Sequence, residues 1–302
     1  MENKLKISSI LIFLSFLITS CYGVLDYSGV LYSPDRVDSR FEQSDTWNQT
    51  HPYKILTVNS ENYQLLVAGD SHIGGLVNFD KLVKEAKKPE NLAFVMVGDI
   101  VTGEKADYDN FKNDLPDFNQ VSYFLMVGNH DLYFDGWKTF YEYFGSSTYY
   151  FSVQTPTIKD IYICLDSGGG TLGGKQLAWL KKVLETIRPN YRNCVIFSHV
   201  NFFRDHHTGS TNPLETELEV LLPLFAKTQV NCVLMGHDHN RTIDKLGMTT
   251  YITMDALLDG FPTPSFVKLE VSETKLGYEF QNFSSLNFTI QQLRHCARIA
   301  GL

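Results

Sequence analysis

Five cysteines in 302 residues are too few for a disulfide-built scaffold. There is no excess of basic residues: Lys and Arg total 26 against 34 Asp and Glu, a net charge of −8. An acidic surface without basic stripes repels phosphate backbones, so nucleic-acid binding is not expected. No internal repeat or low-complexity tract is evident. With 43% hydrophobic, 20% charged and 13% aromatic residues, the chain is neither disordered, collagen-like nor a coiled coil. Its length suits one large α/β domain or two small ones.

The apolar stretch centred on Ile10–Ile18 follows Lys4 and Lys6. It is too short to span about 30 Å of hydrocarbon as a mature helix, and reads instead as the core of an export signal. Ile18-Thr19-Ser20-Cys21 then resembles a bacterial lipobox. The resemblance implies a signal peptide over 1–20, a lipid on Cys21, and a tether over 21–60. The expected location is outside the cytoplasm, periplasmic or at the outer membrane; Tyr22, where an Asp would retain the protein at the inner membrane, leans toward the outer one. Cys164, Cys194 and Cys232 sit in apolar runs and read as buried thiols. Whether Cys194 and Cys232 pair is left open by the sequence.

From Tyr63 onward, short apolar runs alternate with amphipathic segments. Strands are predicted at 64–68, 92–97, 123–127, 160–165, 194–197 and 232–235. Helices are predicted near 79–88, 105–115, 137–144, 174–187 and 215–227, where apolar residues recur every three or four positions. Such alternation predicts βαβ units and a largely parallel central sheet. After Gly247 the period changes to two, predicting antiparallel strands at 250–254, 265–271 and 275–280 that complete a second layer. The folded domain is thus expected over 61–285, with a tail at 286–302 that holds a short helix around 289–299.

Five of the predicted strands run into polar residues able to bind metal. They lead to Asp70 and His72, to Asp99, to Asn129-His130-Asp131, to His199, and to His237-Asp238-His239. Strand C-termini in a parallel sheet share one edge, where ligands bind. Gly69, Gly98, Gly128 and Gly236 precede these residues, where the chain must turn sharply. Five of the nine histidines fall in this pattern. Imidazole and carboxylate with one amide oxygen suit Mn, Fe or Zn rather than Ca or a thiolate-bound ion.

In this order, Asp-x-His, Gly-Asp, Gly-Asn-His-Asp, His and Gly-His-x-His, the sequence resembles the calcineurin-like metallophosphoesterases. The resemblance covers about 64–240, with trailing strands to about 280. It implies a four-layer α/β/β/α sandwich flanked by helices, with the metal site at the C-terminal edge of the strands. It also implies two divalent or mixed-valence ions. Asp70, His72 and His239 would hold one, Asn129, His199 and His237 the other, and Asp99 would bridge them. A bridging hydroxide would attack a phosphoester, mono- or diester, with His130 as general acid and Asp131 as an orienting group. The substrate would be a small-molecule or lipid phosphoester, and the protein would meet the membrane through its N-terminal lipid. Oligomeric state is not readable.

Two departures narrow this. Thr102-Gly103 stands where the Ser/Thr protein phosphatases carry Asp-Arg, which removes an acid partner for the general acid and leaves open what orients His130. No Tyr stands three residues after Asp99, against the purple acid phosphatases. The stretch after Asn240 is too short for the second domain of the exported 5′-nucleotidases. Arg204, in the polar segment 201–213 with His206 and His207, is a candidate for gripping the substrate phosphate. Gly168-Gly169-Gly170 lacks a P-loop lysine and reads as a flexible connection. The rival readings are a non-catalytic metal-binding surface lipoprotein and a nuclease of the same fold.

Overall fold

Leu65 and Val67 face one side of their strand and Leu66 and Ala68 the other, yet all four are fully buried. A strand covered on both faces reads as a continuous apolar run rather than an alternation. The computed structural model describes residues 35–73, 75–204 and 211–283. The signal peptide, Cys21, His206, His207 and the tail helix lie outside the described residues.

Two sheets carry the chain. The first contains β2 (Tyr63–Ala68), β3 (Asn91–Val97) and β4 (Ser122–Met126), mutually parallel, followed by β11 (Ser265–Val271) and β12 (Leu276–Asn282). Its order is β12-β11-β2-β3-β4. The second contains β1 (Ile55–Thr57), β5 (Tyr149–Gln154), β6 (Lys159–Leu165), β7 (Cys194–Ser198), β8 (Cys232–Met235), β9 (Thr242–Leu246) and β10 (Thr249–Thr253). Its order is β1-β5-β6-β7-β8-β10-β9, with β6, β7, β8 and β10 parallel.

Between the sheets lies a core of Leu65, Val95, Phe151, Tyr162, Phe197 and Leu234, among others. The outer face of the first sheet packs under α2 (Val77–Ala86), α3 (Lys105–Asp114) and α4 (Gly136–Phe144), through Phe79, Phe111 and Trp137. The outer face of the second packs under α5 (Gly173–Lys182) and α6 (Glu215–Lys227), through Leu180, Leu221 and Phe225. Each such side chain contributes about 1.5–3 kcal/mol by leaving water. The result is the four-layer α/β/β/α arrangement. At its far end Asp160 of β6 accepts bonds from Tyr63 of β2 (2.8 Å) and from Arg192 (3.0 Å at Nε, 2.5 Å at Nη2), joining the two sheets.

Two expectations change, and one open question closes. The parallel strands do not form one central sheet: β2, β3 and β4 belong to one sheet and β6, β7 and β8 to the other. The C-terminal strands are shared out likewise, β9 and β10 to the second sheet, β11 and β12 to the first. The stretch expected as tether is folded from Val37, with α1 (Val37–Thr50) packed on α5 and β1 paired to β5. Its weak apolar periodicity hid it, because Arg40 and Ser44 are buried polar residues on its inner face. Finally, Cys194 packs in the outer core and Cys232 in the inner one, on opposite faces of the sheet, and both are free thiols. Burial pushes each thiol up to about 12.

Candidate metal centre

The chain leaves β2, β3, β4, β7 and β8 at one edge of the sandwich and at once presents Asp70, Asp99, Asn129, His199 and His237. Two sheets, not one, converge there. Asp70, His72 and His239 each bring a ligand atom within 4.8 Å of the other two. The same holds for Asp99, His199 and His237, and for His72, Asp99 and His130. Asn129 Oδ1 lies 3.1 Å from His199 Nε2.

The backbone is bent to achieve this. Asp70, His72, Asp99, His237 and His239 have φ of +54, +40, +48, +75 and +52°. Such left-handed conformations cost about 1–3 kcal/mol each for residues with a β-carbon, and they persist where surrounding structure over-determines them. Gly98, with φ +77°, shows how tight the edge is: a β-carbon there would lie 2.6 Å from His199 Nδ1 and 2.7 Å from the Gly128 backbone.

Hydrogen bonds set which atoms face inward. His199 Nδ1 donates to the carbonyl of Val97 at 2.9 Å, so Nε2 is the atom turned to Asp99 Oδ2, 3.3 Å away. His237 Nε2 donates to the Thr211 carbonyl at 3.1 Å, leaving Nδ1 for the centre. His72 Nε2 and His239 Nε2 are 3.2 Å apart, and His239 Nε2 is 3.3 Å from Asp70 Oδ1. Asp70 is itself held by the backbone N–H of His237, 3.0 Å from each oxygen. Tyr133, which the sequence did not single out, accepts a bond from Asn129 Nδ2 at 3.2 Å and so turns the amide oxygen toward His199.

Charge follows geometry. Burial alone would raise the carboxyls of Asp70 and Asp99, but neighbouring histidines hold both below the usual range, Asp99 far below. Burial drives His72 well down and, with the His199 charge, His237 down to about 4. It would lower His199 and His239 too, but Asp99 and Asp70 raise them, His199 to about 10. The close approaches of ring nitrogen to carboxylate, His199 to Asp99 and His239 to Asp70, mark the places a bound cation would take. Two carboxylates, four imidazoles and one amide oxygen, converging with His72 Nε2 and His239 Nε2 only 3.2 Å apart, fit Mn, Fe or Zn.

The remaining expected residues are placed as follows. The ring of His130 lies edge-on to His72 (centroids 4.4 Å) and tilted beside Tyr133 (4.8 Å), so these ring contacts orient it. Asp131 turns its carboxylate to the N–H groups of Gly128 (2.7 Å) and Val101 (2.9 Å), and so ties together the loops that follow β3 and β4. Arg204 is paired rather than free. Its Nε is 2.8 Å from Asp238 Oδ1, and its Nη1 donates to the Thr211 carbonyl and to Asn212 Oδ1. It braces the carbonyl that orients His237. The 168–170 glycines are not loose: Gly170 donates to the Ser167 carbonyl (2.8 Å) and accepts from Leu214 (3.0 Å).

Among solved structures, a dimetal phosphatase from Danio rerio superposes with a TM-score of 0.57 at 14% identity, covering 74% of this chain and 99% of that one. GAP50, the anchor in the inner membrane complex of Plasmodium, gives 0.55 at 12% identity over 80% and 95%. At these identities the likeness is one of fold. No curated protein matches the chain in sequence. The family profile described as calcineurin-like phosphoesterase matches residues 63–241, from the start of β2 to just beyond His239. More than half of the chain, with every candidate ligand described above, lies inside that match, and the chain belongs to the calcineurin-like phosphoesterase family.

Proposed function

We propose that this protein hydrolyses a phosphoester at a two-cation centre outside the cytoplasm. Asp70, His72 and His239 hold one cation, Asn129, His199 and His237 the other, and Asp99 serves both. The observation that carries this reading is the division of labour in Asp99. Its Oδ1 accepts the N–H of His130 at 2.8 Å, while its Oδ2 lies 3.3 Å from His199 Nε2 and 3.7 Å from His72 Nε2. One oxygen thus belongs to both ligand groups.

Cations of the Mn, Fe or Zn type would supply a nucleophile at neutral pH and offset the charge of the phosphoryl group. The chain's own residues do the rest. Backbone strain and second-sphere bonds hold the ligands in place before substrate arrives, so little reorganisation is needed. His130, edge-on to His72, would donate a proton to the leaving oxygen. Asp131 and Tyr133 are positioning residues. A small-molecule or lipid phosphoester is the substrate class, since a net charge of −8 disfavours polynucleotides. A non-catalytic role would be favoured by a missing ligand, and none is missing.

The location rests on the lipobox at Ile18–Cys21, which lies outside the described residues. Among those described, no helix is long and apolar enough to cross a membrane.

The test is a panel of phosphomonoesters and phosphodiesters offered to protein reconstituted with Mn²⁺, Fe²⁺ or Zn²⁺. Turnover of at least one ester, abolished by chelation and restored by metal, supports hydrolysis. Protein carrying its metals and turning over none of them would sink it and favour a binding role.

A further inference from the structure

We propose that Arg40, in the N-terminal helix outside the family match, is a positioning residue for the Asn129–His199 half of the centre. This rests on the two-cation reading above. Arg40 is 3% exposed and grips Asp166 with two bonds, Nε to Oδ2 at 2.7 Å and Nη2 to Oδ1 at 3.0 Å. Its Nη1 donates to the Asp35 carbonyl at 2.6 Å. Asp166 follows β6 directly and starts a turn that reaches the centre on two sides.

On one side, the Ser167 hydroxyl accepts the N–H of Val200 (3.1 Å) and bonds to the Ser198 hydroxyl (3.0 Å), so it holds both residues that flank His199. On the other, Gly168 presses on the backbone just before Asn129. A β-carbon on Gly168 would lie 2.6 Å from the Gly128 carbonyl oxygen. Asp166 Oδ1 also accepts the Gly168 N–H at 3.2 Å, which ties the turn to the ion pair. These contacts run to Asn129 and His199, two ligands of the same proposed cation.

The helix that carries Arg40 is fixed independently. Asp38 Oδ1 accepts the N–H of Lys175 (2.9 Å), Gln43 Oε1 accepts Trp137 Nε1 (3.0 Å), and Asn48 Nδ2 donates to the Thr148 carbonyl (2.8 Å). Arg40 therefore transmits the position of a rigid helix to the turn. A buried ion pair is weak evidence for stability by itself, because apolar residues of similar volume often replace it at no loss. A bidentate fork does fix orientation, which neither apolar residues nor a lysine ammonium reproduces.

The experiment titrates Mn²⁺ into the wild type, Arg40→Lys and the double variant Arg40→Met with Asp166→Leu, following bound metal by equilibrium dialysis and the spin-coupled signal of a metal pair by electron paramagnetic resonance. The double variant leaves no buried charge unpaired, so it guards against simple misfolding. Expected is a first equivalent bound within threefold of wild type and a second weakened at least tenfold, with loss of the coupled signal. Both equivalents unchanged, or both weakened in parallel as a general loss of structure would do, overturns the proposal. Wild type that takes up fewer than two equivalents would overturn the two-cation reading itself, a result separable from variants that merely match a two-cation wild type.

Discussion

The backbone N–H of His130 donates to Asp99 Oδ1 over 2.8 Å, and this one bond decides that Oδ2 is the oxygen left to face both histidine groups. An amide at position 99 would keep the fold of the loop but offer a neutral, weaker ligand. Asp99→Asn is expected to lose both metal equivalents. Changes in groups behind a metal ligand cost about 10–100-fold, so loss of the shared carboxylate should lower turnover by more than that. Metal analysis beside a rate assay checks this; full metal content with retained turnover would contradict the bridging role.

His130 is placed by rings rather than by a carboxylate, so its removal should leave the ligands in position. His130→Ala is expected to keep its metal and to slow alkyl phosphoesters by about 10²–10⁴-fold, the usual range for a general acid. p-Nitrophenyl esters, whose leaving group needs little protonation, should be slowed far less. Equal slowing across leaving groups would remove His130 as proton donor.

Arg204 offers a test between the role expected from sequence and the one its contacts support. As a brace for the Thr211 carbonyl and a partner of Asp238, its loss should destabilise the protein by about 1–3 kcal/mol. Arg204→Ala should also lower kcat by loosening His237, with KM within about threefold. A tenfold or greater rise in KM with unchanged melting temperature would restore the phosphate-gripping role.

Far from the centre, Asp160 bonds Tyr63 across the two sheets and is paired bidentately with Arg192. Removing Asp160 leaves the buried Tyr63 hydroxyl short of a partner and takes one carboxylate from the partly exposed Arg192, which keeps Glu61, at about 1–3 kcal/mol. Asp160→Ala should therefore shift urea unfolding by that amount while the folded protein keeps its kcat. A parallel fall in kcat would mean that the far end of the sandwich is coupled to the centre.

The proposed lipid anchor is tested by Cys21→Ser. The variant is expected in the soluble fraction, without incorporation of labelled fatty acid. Continued labelling would disprove the lipobox reading.

Much of the architecture was legible because it is local. The helices at 105–114 and 215–227 fall within a residue of their expected positions, since each shows its apolar stripe within its own span. The polar strand ends were legible for the same reason, each an apolar run, a turn and a ligand in a few consecutive residues. Helix α1, by contrast, buries Arg40 against Asp166, a partner 126 residues away, and a buried arginine looks like a surface one in sequence. Arg204 shows the same limit. A cation beside a metal motif suggests a phosphate, but its partners Asp238, Thr211 and Asn212 meet it only once β7, β8 and α6 are packed.

The sequence by itself determined which residues stand at the strand ends, and in what order, because side-chain periodicity and turn chemistry are written over short spans. Tertiary structure alone decided which strands join which sheet, that Asp99 turns one oxygen to each task, and which nitrogen each histidine presents. Those outcomes depend on contacts such as His199 with Val97 and His237 with Thr211. The reason is that hydrogen-bond partners distant in the chain become neighbours only when the apolar faces of the strands have been buried.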